Sequence, residues 1–168
     1  MKKIKLLYIV FLFPVFLFAQ IKPTKSLIEK LILKSKVEIK KGKFSLPANT
    51  SWEFNNTDNY YYKKDTLDAF LYKEGTKHKS LCESVNWTFY KKNAFILGQE
   101  SICKEPPTRN ATQYPKDYFT ISINNVENKI VINILKNDKT ILESYIVREI
   151  VDTKEYTKIK FVRSFKNN

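Results

Sequence analysis

A period of two dominates this chain and limits what it can fold into. Val37 and Ile39 alternate with Lys36, Glu38 and Lys40; Trp52 and Phe54 flank Glu53; Tyr60 and Tyr62 flank Tyr61. Val85, Trp87 and Phe89 fall on one side of the chain, and Ser84, Asn86 and Thr88 on the other. Phe119, Ile121 and Ile123 continue the pattern, as do Ile130, Ile132 and Ile134. Ile146 and Ile150 share a face opposite Tyr145 and Val147, and Ile159, Phe161 and Phe165 close the chain. Successive side chains of an extended backbone point to opposite faces, so alternation this rich in aromatic and β-branched residues predicts half-buried antiparallel strands. Turn residues at 55–58, Lys92-Asn93, Asn124-Asn125, Asn137-Asp138 and 151–153 divide the chain into about eight to ten such strands with short connections. A helical pattern occurs once. Ser26-Leu27-Ile28-Glu29 fits a capping box, and Leu27, Ile28, Leu31 and Ile32 share a face, predicting one short helix over 27–34.

Consecutive short hairpins make a meander, and a meander of eight or more strands removes its edges by closing on itself. The expected fold is therefore mainly β, an antiparallel up-and-down β-barrel with one short N-terminal helix; a two-sheet sandwich is the alternative. Trp52-Glu53-Phe54, Tyr60-Tyr61-Tyr62, Trp87-Thr88-Phe89 with Phe95 and Leu97, Tyr118-Phe119-Thr120-Ile121, Ile130-Val131-Ile132 and Tyr145-Ile146-Val147-Arg148 together resemble the small bacterial exported lipocalin-like domains. The resemblance covers roughly residues 36–165 and implies a barrel with a ligand pocket at its base.

The N-terminus speaks of compartment. Met1-Lys2-Lys3-Ile4-Lys5 is cationic, Leu6 to Phe18 is apolar with only Pro14 interrupting, and Ala19 precedes Gln20. That is the layout of a secretory signal peptide, and the apolar run is short for a membrane span. The expected organisation is a signal peptide over 1–19 and a single lipocalin-like domain over 20–168, exported to the periplasm or secreted. No cysteine lies near the cut to carry a lipid, and no second apolar run is long enough to leave a transmembrane segment after cleavage.

Charge is distributed unevenly. The chain carries +13, yet residues 44–153 are neutral overall, while 22–43 carry +6 and 154–166 carry +4. Closing an up-and-down barrel pairs its first and last strands, near 36–43 and 156–165. Closure would merge Lys36, Lys40, Lys41, Lys43, Lys158 and Lys160 into one basic patch for an anionic lipid or polysaccharide. Nucleic acid is not an expected partner of an exported protein.

Cys82 and Cys103 are the only cysteines, and export favours their oxidation. With Lys92-Asn93 as a two-residue turn, opposite residues sum to 185. Trp87 then faces Gly98, Phe89 faces Ile96, and the two cysteines meet at a non-hydrogen-bonded pair about 4.5 Å apart, close enough to bridge. His78, in Lys77-His78-Lys79, reads as a solvated loop histidine. No nucleophile–base order, phosphate loop or metal-ligand spacing stands out, so neither enzyme chemistry nor a cofactor or metal is expected. The cavity candidates for a small hydrophobic or amphipathic ligand are Trp52, Phe54, Tyr60, Tyr62, Trp87, Phe89, Phe119 and Phe161, with Arg148 and Arg163 as inward anchors for a carboxylate or phosphate. Plain core is the competing reading for the aromatics, and a pairing with Glu143, Glu149 or Glu155 for the arginines; the alternative function is an envelope- or protein-binding module that uses its basic outer surface around a filled barrel.

Overall fold

The computed structural model of the chain describes residues 19–40, 43–45, 50–76, 81–110 and 112–167, with backbone only for 19, 20, 38–40 and 43–45. The elements in chain order are β1 (Ala19–Ile21), α1 (Lys25–Lys34), β2 (Glu38–Lys40), β3 (Lys43–Ser45), β4 (Trp52–Asn55), a 3-10 turn (Thr57–Asn59) and α2 (Tyr60–Lys63). There follow β5 (Thr66–Tyr72), β6 (Glu83–Lys91), β7 (Ala94–Ser101), β8 (Thr108–Arg109), β9 (Tyr118–Val126), β10 (Lys129–Leu135), β11 (Ile141–Asp152) and β12 (Tyr156–Lys166).

Eight antiparallel strands close into a barrel. Its order is β4, β6, β7, β9, β10, β11, β12, β5 and back to β4, with β8 branching from β7 and β1 from the end of β11. From β6 onward the barrel strands follow the meander the alternation predicts. The start departs from it. β4 lies between β5 and β6 and is antiparallel to both, so β5 and β6 run the same way.

The expected closure is also corrected. β2 and β3 pair with each other as a separate hairpin, and β5 takes the place beside β12. The physical reason is the inward face. Leu67, Ala69 and Leu71 of β5 are all buried and extend the core next to Ile159 and Phe161, whereas 36–43 offers only Val37 and Ile39. The segment 66–72 is itself a strand that the alternation argument passed over.

Local structure differs from expectation at four further points. The α1 N-cap is Thr24, whose hydroxyl accepts from the Leu27 amide at 3.2 Å, so the helix starts two residues earlier than a Ser26 cap allows. Tyr60–Tyr62 is helical, not extended, because Asp58 and Asn59 adopt left-handed backbone (φ 56° and 60°) and turn the chain there. A bulge between Phe89 and Lys91 shifts the β6–β7 register by one, so Trp87 faces Leu97 and Phe89 faces Phe95. A second bulge between Val147 and Glu149 expels Arg148 to solvent and brings Ile150 to the same buried face as Tyr145 and Val147, leaving Ile146 on the other face.

The disulfide Cys82–Cys103 forms just beyond the ends of β6 and β7, with the Cα atoms 5.0 Å apart. It survives the register shift because the Ile102 amide donates to the Cys82 carbonyl at 2.9 Å, holding the two chains together past the ladder.

The barrel interior is filled. Trp52, Phe54, Trp87, Phe89, Phe95 and Phe161 are 0–1% exposed. Their ring centroids lie 4.8 Å apart for Phe54–Trp87 and Trp87–Phe95, and 5.1 Å for Trp52–Phe89. A helix stoppers each end. At one, α1 buries Ile28 and Ile32, and its C-cap Ser35 accepts a 3.0 Å hydrogen bond from the Trp52 indole N–H. At the other, α2 inserts Tyr61, whose hydroxyl accepts from the Trp87 indole N–H at 2.9 Å.

Candidate functional site

The α2 end of the barrel holds a polar network beneath an open cleft. β12 places Arg163 on the inward face two residues beyond Phe161, and β11 places Glu143 and Tyr145 beside it. The Arg163 guanidinium donates to the carbonyls of Lys64 (2.6 Å) and Tyr61 (2.8 Å) and to the Tyr145 hydroxyl (3.1 Å). Its Nε lies 3.7 Å from a Glu143 carboxylate oxygen, and Tyr145 donates its hydroxyl to the other oxygen. Arg163, Glu143 and Tyr145 are all buried. Burial pushes the Tyr61 phenol well above its ordinary value, helped by the nearby Tyr145 and Glu143. Burial, then the Glu143 charge, does the same at Tyr145. Burial alone would lower Arg163, but Tyr145 and Glu143 outweigh it and raise its pKa.

Above the network lies a cleft of about 600 Å³. Its floor combines Tyr61, Leu97, Phe119, Ile134 and Leu142 with the buried Glu143. Its outer wall is the 102–117 segment, which contributes Asn110, Gln113, Lys116 and Asp117. That wall is tied to β7. Leu97 donates to the Asp117 carbonyl at 2.9 Å, the Asn110 amide donates to the Gln99 carbonyl at 3.0 Å, and the Gln99 side chain donates to the Tyr62 hydroxyl. The disulfide pins the wall's start to the start of β6. A concave site with an apolar floor and a few fixed polar groups is suited to one small amphipathic molecule.

Of the sequence-stated cavity candidates, Tyr62 and Phe119 line this cleft. Trp52, Phe54, Trp87, Phe89 and Phe161 instead pack against one another as core, because the barrel is narrow enough for side chains to fill it. Tyr60 is exposed on the outside of α2, and Arg148 is exposed by its bulge. Arg163 does point inward, but its two terminal nitrogens are engaged by Tyr61, Lys64 and Tyr145, its buried Nε–H makes no hydrogen bond, and its charge faces Glu143, one of the acids considered for it.

The basic patch is also corrected. Lys160 pairs with Glu149 at 3.1 Å, and Lys158 lies between Val151 and Phe70 on neighbouring strands. Lys36 is half-buried; Lys41, and the side chains of Lys40 and Lys43, lie outside the described residues, as does His78. With β5 beside β12, strand pairing does not join 36–43 to 156–165 among the described residues.

Alternation alone does not reveal Gln99 or the 102–117 wall. Glu143 had a usable signal, since it stands two residues before Tyr145 on the same face. Among the described residues, no group of three or more His, Cys, Asp or Glu is placed to hold a metal ion, and no helix is long and apolar enough to cross a membrane. No family model, curated protein or solved structure matches the chain.

Proposed function

We propose that the protein is an exported, non-enzymatic barrel that binds a small amphipathic molecule in the cleft at its α2 end. The observation that carries the reading is the buried Glu143 carboxylate facing a cleft otherwise floored by Leu97, Phe119, Ile134 and Leu142. Such a floor takes up the apolar part of a ligand, and Glu143, Gln99 and Tyr62 orient a hydrogen-bond-donating head. The ligand sits at the barrel mouth and not in its centre, which the aromatic rings occupy. Export agrees with the disulfide, which persists in oxidising compartments. Kinship with the small exported lipocalin-like domains belongs to the same proposal and is supported by the closed eight-stranded barrel.

Native mass spectrometry of protein purified from its own cells tests it. The expected result is a bound mass on the wild-type chain that is lost in Phe119→Arg, where the long side chain fills the cleft. Absence of bound mass, with no thermal shift in the presence of cationic or amine-bearing amphiphiles, would refute the reading.

A further inference from the structure

At the opposite end of the barrel a second concavity lies under α1. It encloses about 610 Å³ between the helix, β1 and the ends of β11 and β12. Leu27 and Leu31, one turn apart, form its helical wall, and Ile21 and Ile150 its floor. Lys30 and Lys34, also one turn apart, and Lys73 stand at its rim. Leu33 at the helix C-terminus is 51% exposed.

The charges around this groove are one-sided. Asp152 is the acid in its lining, and it is already engaged by Lys73 at 3.0 Å and by the Thr157 hydroxyl at 2.6 Å. Glu29, half-buried, is the one acid on α1. Lys30 has no ion-pair or hydrogen-bond partner among the described residues, Lys34 makes no such contact but lies near enough to Asp152 for its charge to favour the carboxylate, and Lys22 and Lys25 add two more exposed cations at the start of the helix. A short helix with unpaired lysines beside exposed leucine is the arrangement that settles into the headgroup region of a bilayer. Apolar side chains enter the acyl boundary and ammonium groups meet anionic headgroups.

We propose that α1 and the groove beneath it form a docking surface for an anionic lipid bilayer, with Leu33 entering the interface and Lys30 and Lys34 supplying the charge contact. This surface is distinct from the ligand cleft at the other barrel end and stands or falls separately from it. It also moves the lipid contact from the expected strand seam to the helix.

The test places a reporter on the surface. Leu33→Trp is exposed, whereas Trp52 and Trp87 are fully buried, so the new indole dominates any change in emission. Vesicles of phosphatidylglycerol and phosphatidylcholine should shift its emission to the blue and co-sediment the protein at low salt. Phosphatidylcholine alone should do neither, and 0.5 M salt, which shortens the screening length from about 8 Å to about 4 Å, should reverse both. Lys30→Glu/Lys34→Glu in the same chain should weaken vesicle partitioning at least about tenfold with an unchanged melting curve. Co-sedimentation without an emission shift, or with no loss in the double variant, would place membrane contact elsewhere and overturn the proposal. So would an equal shift with monomeric oleate, which would make the groove a site for a soluble amphiphile. No binding to anionic vesicles at low salt overturns it outright.

Discussion

Removing the Arg163 cation should be the most damaging polar substitution in the barrel. Arg163→Met keeps the side-chain length but withdraws three hydrogen bonds, at 2.6, 2.8 and 3.1 Å, and the charge facing Glu143. The carbonyls of Tyr61 and Lys64 lose their donor, and Glu143, 7% exposed, is left as a buried carboxylate without its cation. Breaking a buried pair by removing one partner costs about 3–5 kcal/mol. For a domain of this size that corresponds to a fall of about 6–20 °C in Tm. Thermal and urea unfolding followed by near-ultraviolet circular dichroism measure it, since the packed tryptophans give the folded signal. The cost arises mainly from the abandoned carboxylate, so Arg163→Met/Glu143→Gln should recover about 1–3 kcal/mol relative to the single variant. A single variant within about 1 kcal/mol of wild type, or strict additivity in the double, would show that the pair is not coupled and that the charge of Glu143 is solvated.

Three other outcomes follow from the same geometry. Trp87→Ala removes a fully buried ring in contact with Phe54, Phe95 and Tyr61 and should cost about 3–5 kcal/mol in urea unfolding; an unchanged midpoint would mean the interior is not packed as described. Cys82→Ser/Cys103→Ser opens a loop of 21 residues and should cost about 3 kcal/mol by chain entropy, and it should also raise hydrogen exchange across 104–117, because the bridge pins that wall. Tyr61 and Tyr145 titrate higher in the folded state than their ordinary value of 10.0, so the folded state holds protons that the unfolded state releases. Stability should therefore be complete below pH 10 and fall above it; Tyr145→Phe should flatten that alkaline slope in urea midpoints taken between pH 9 and 11.5, and an identical slope would exclude Tyr145 as its source.

Faces were easier to read than neighbours. Val85, Trp87 and Phe89, and likewise Ile130, Ile132 and Ile134, are buried as their alternation requires, but Ser84 and Asn86 on the opposite side of β6 are buried as well, so burial does not alternate along that strand. The bridge between Cys82 and Cys103 followed from spacing even though the register behind it was off by one. The neighbours of β4 were not legible, since alternation says which side of a strand is apolar and nothing about which strand lies next to it. The bulges at Tyr90 and Arg148 escaped for a related reason. An extra residue at Tyr90 or Arg148 leaves no local mark beyond a break in a pattern that chance also breaks. The cleft was the least legible part. Leu97, Leu142 and Glu143 gain meaning only from the 102–117 wall folded over them, and Gln99 and Asn110 only from each other.

The placement of β12 has a consequence for how this barrel can assemble. It is the last strand among the described residues, yet it bonds to β5 across pairs such as Val162 with Thr66 and Tyr156 with Tyr72, separated by 96 and 84 positions along the chain. Until it arrives, β5 and β11 are both open edges carrying unpaired amide and carbonyl groups, and the ring of eight is an open sheet of seven strands. Closure is thus a non-local event that waits for β12 to be synthesised, and the slow step of folding should sit there. A chain ending before Tyr156 would expose two complementary edges at once, one on each side of the same gap, and such chains would join edge to edge into oligomers instead of stopping as monomers.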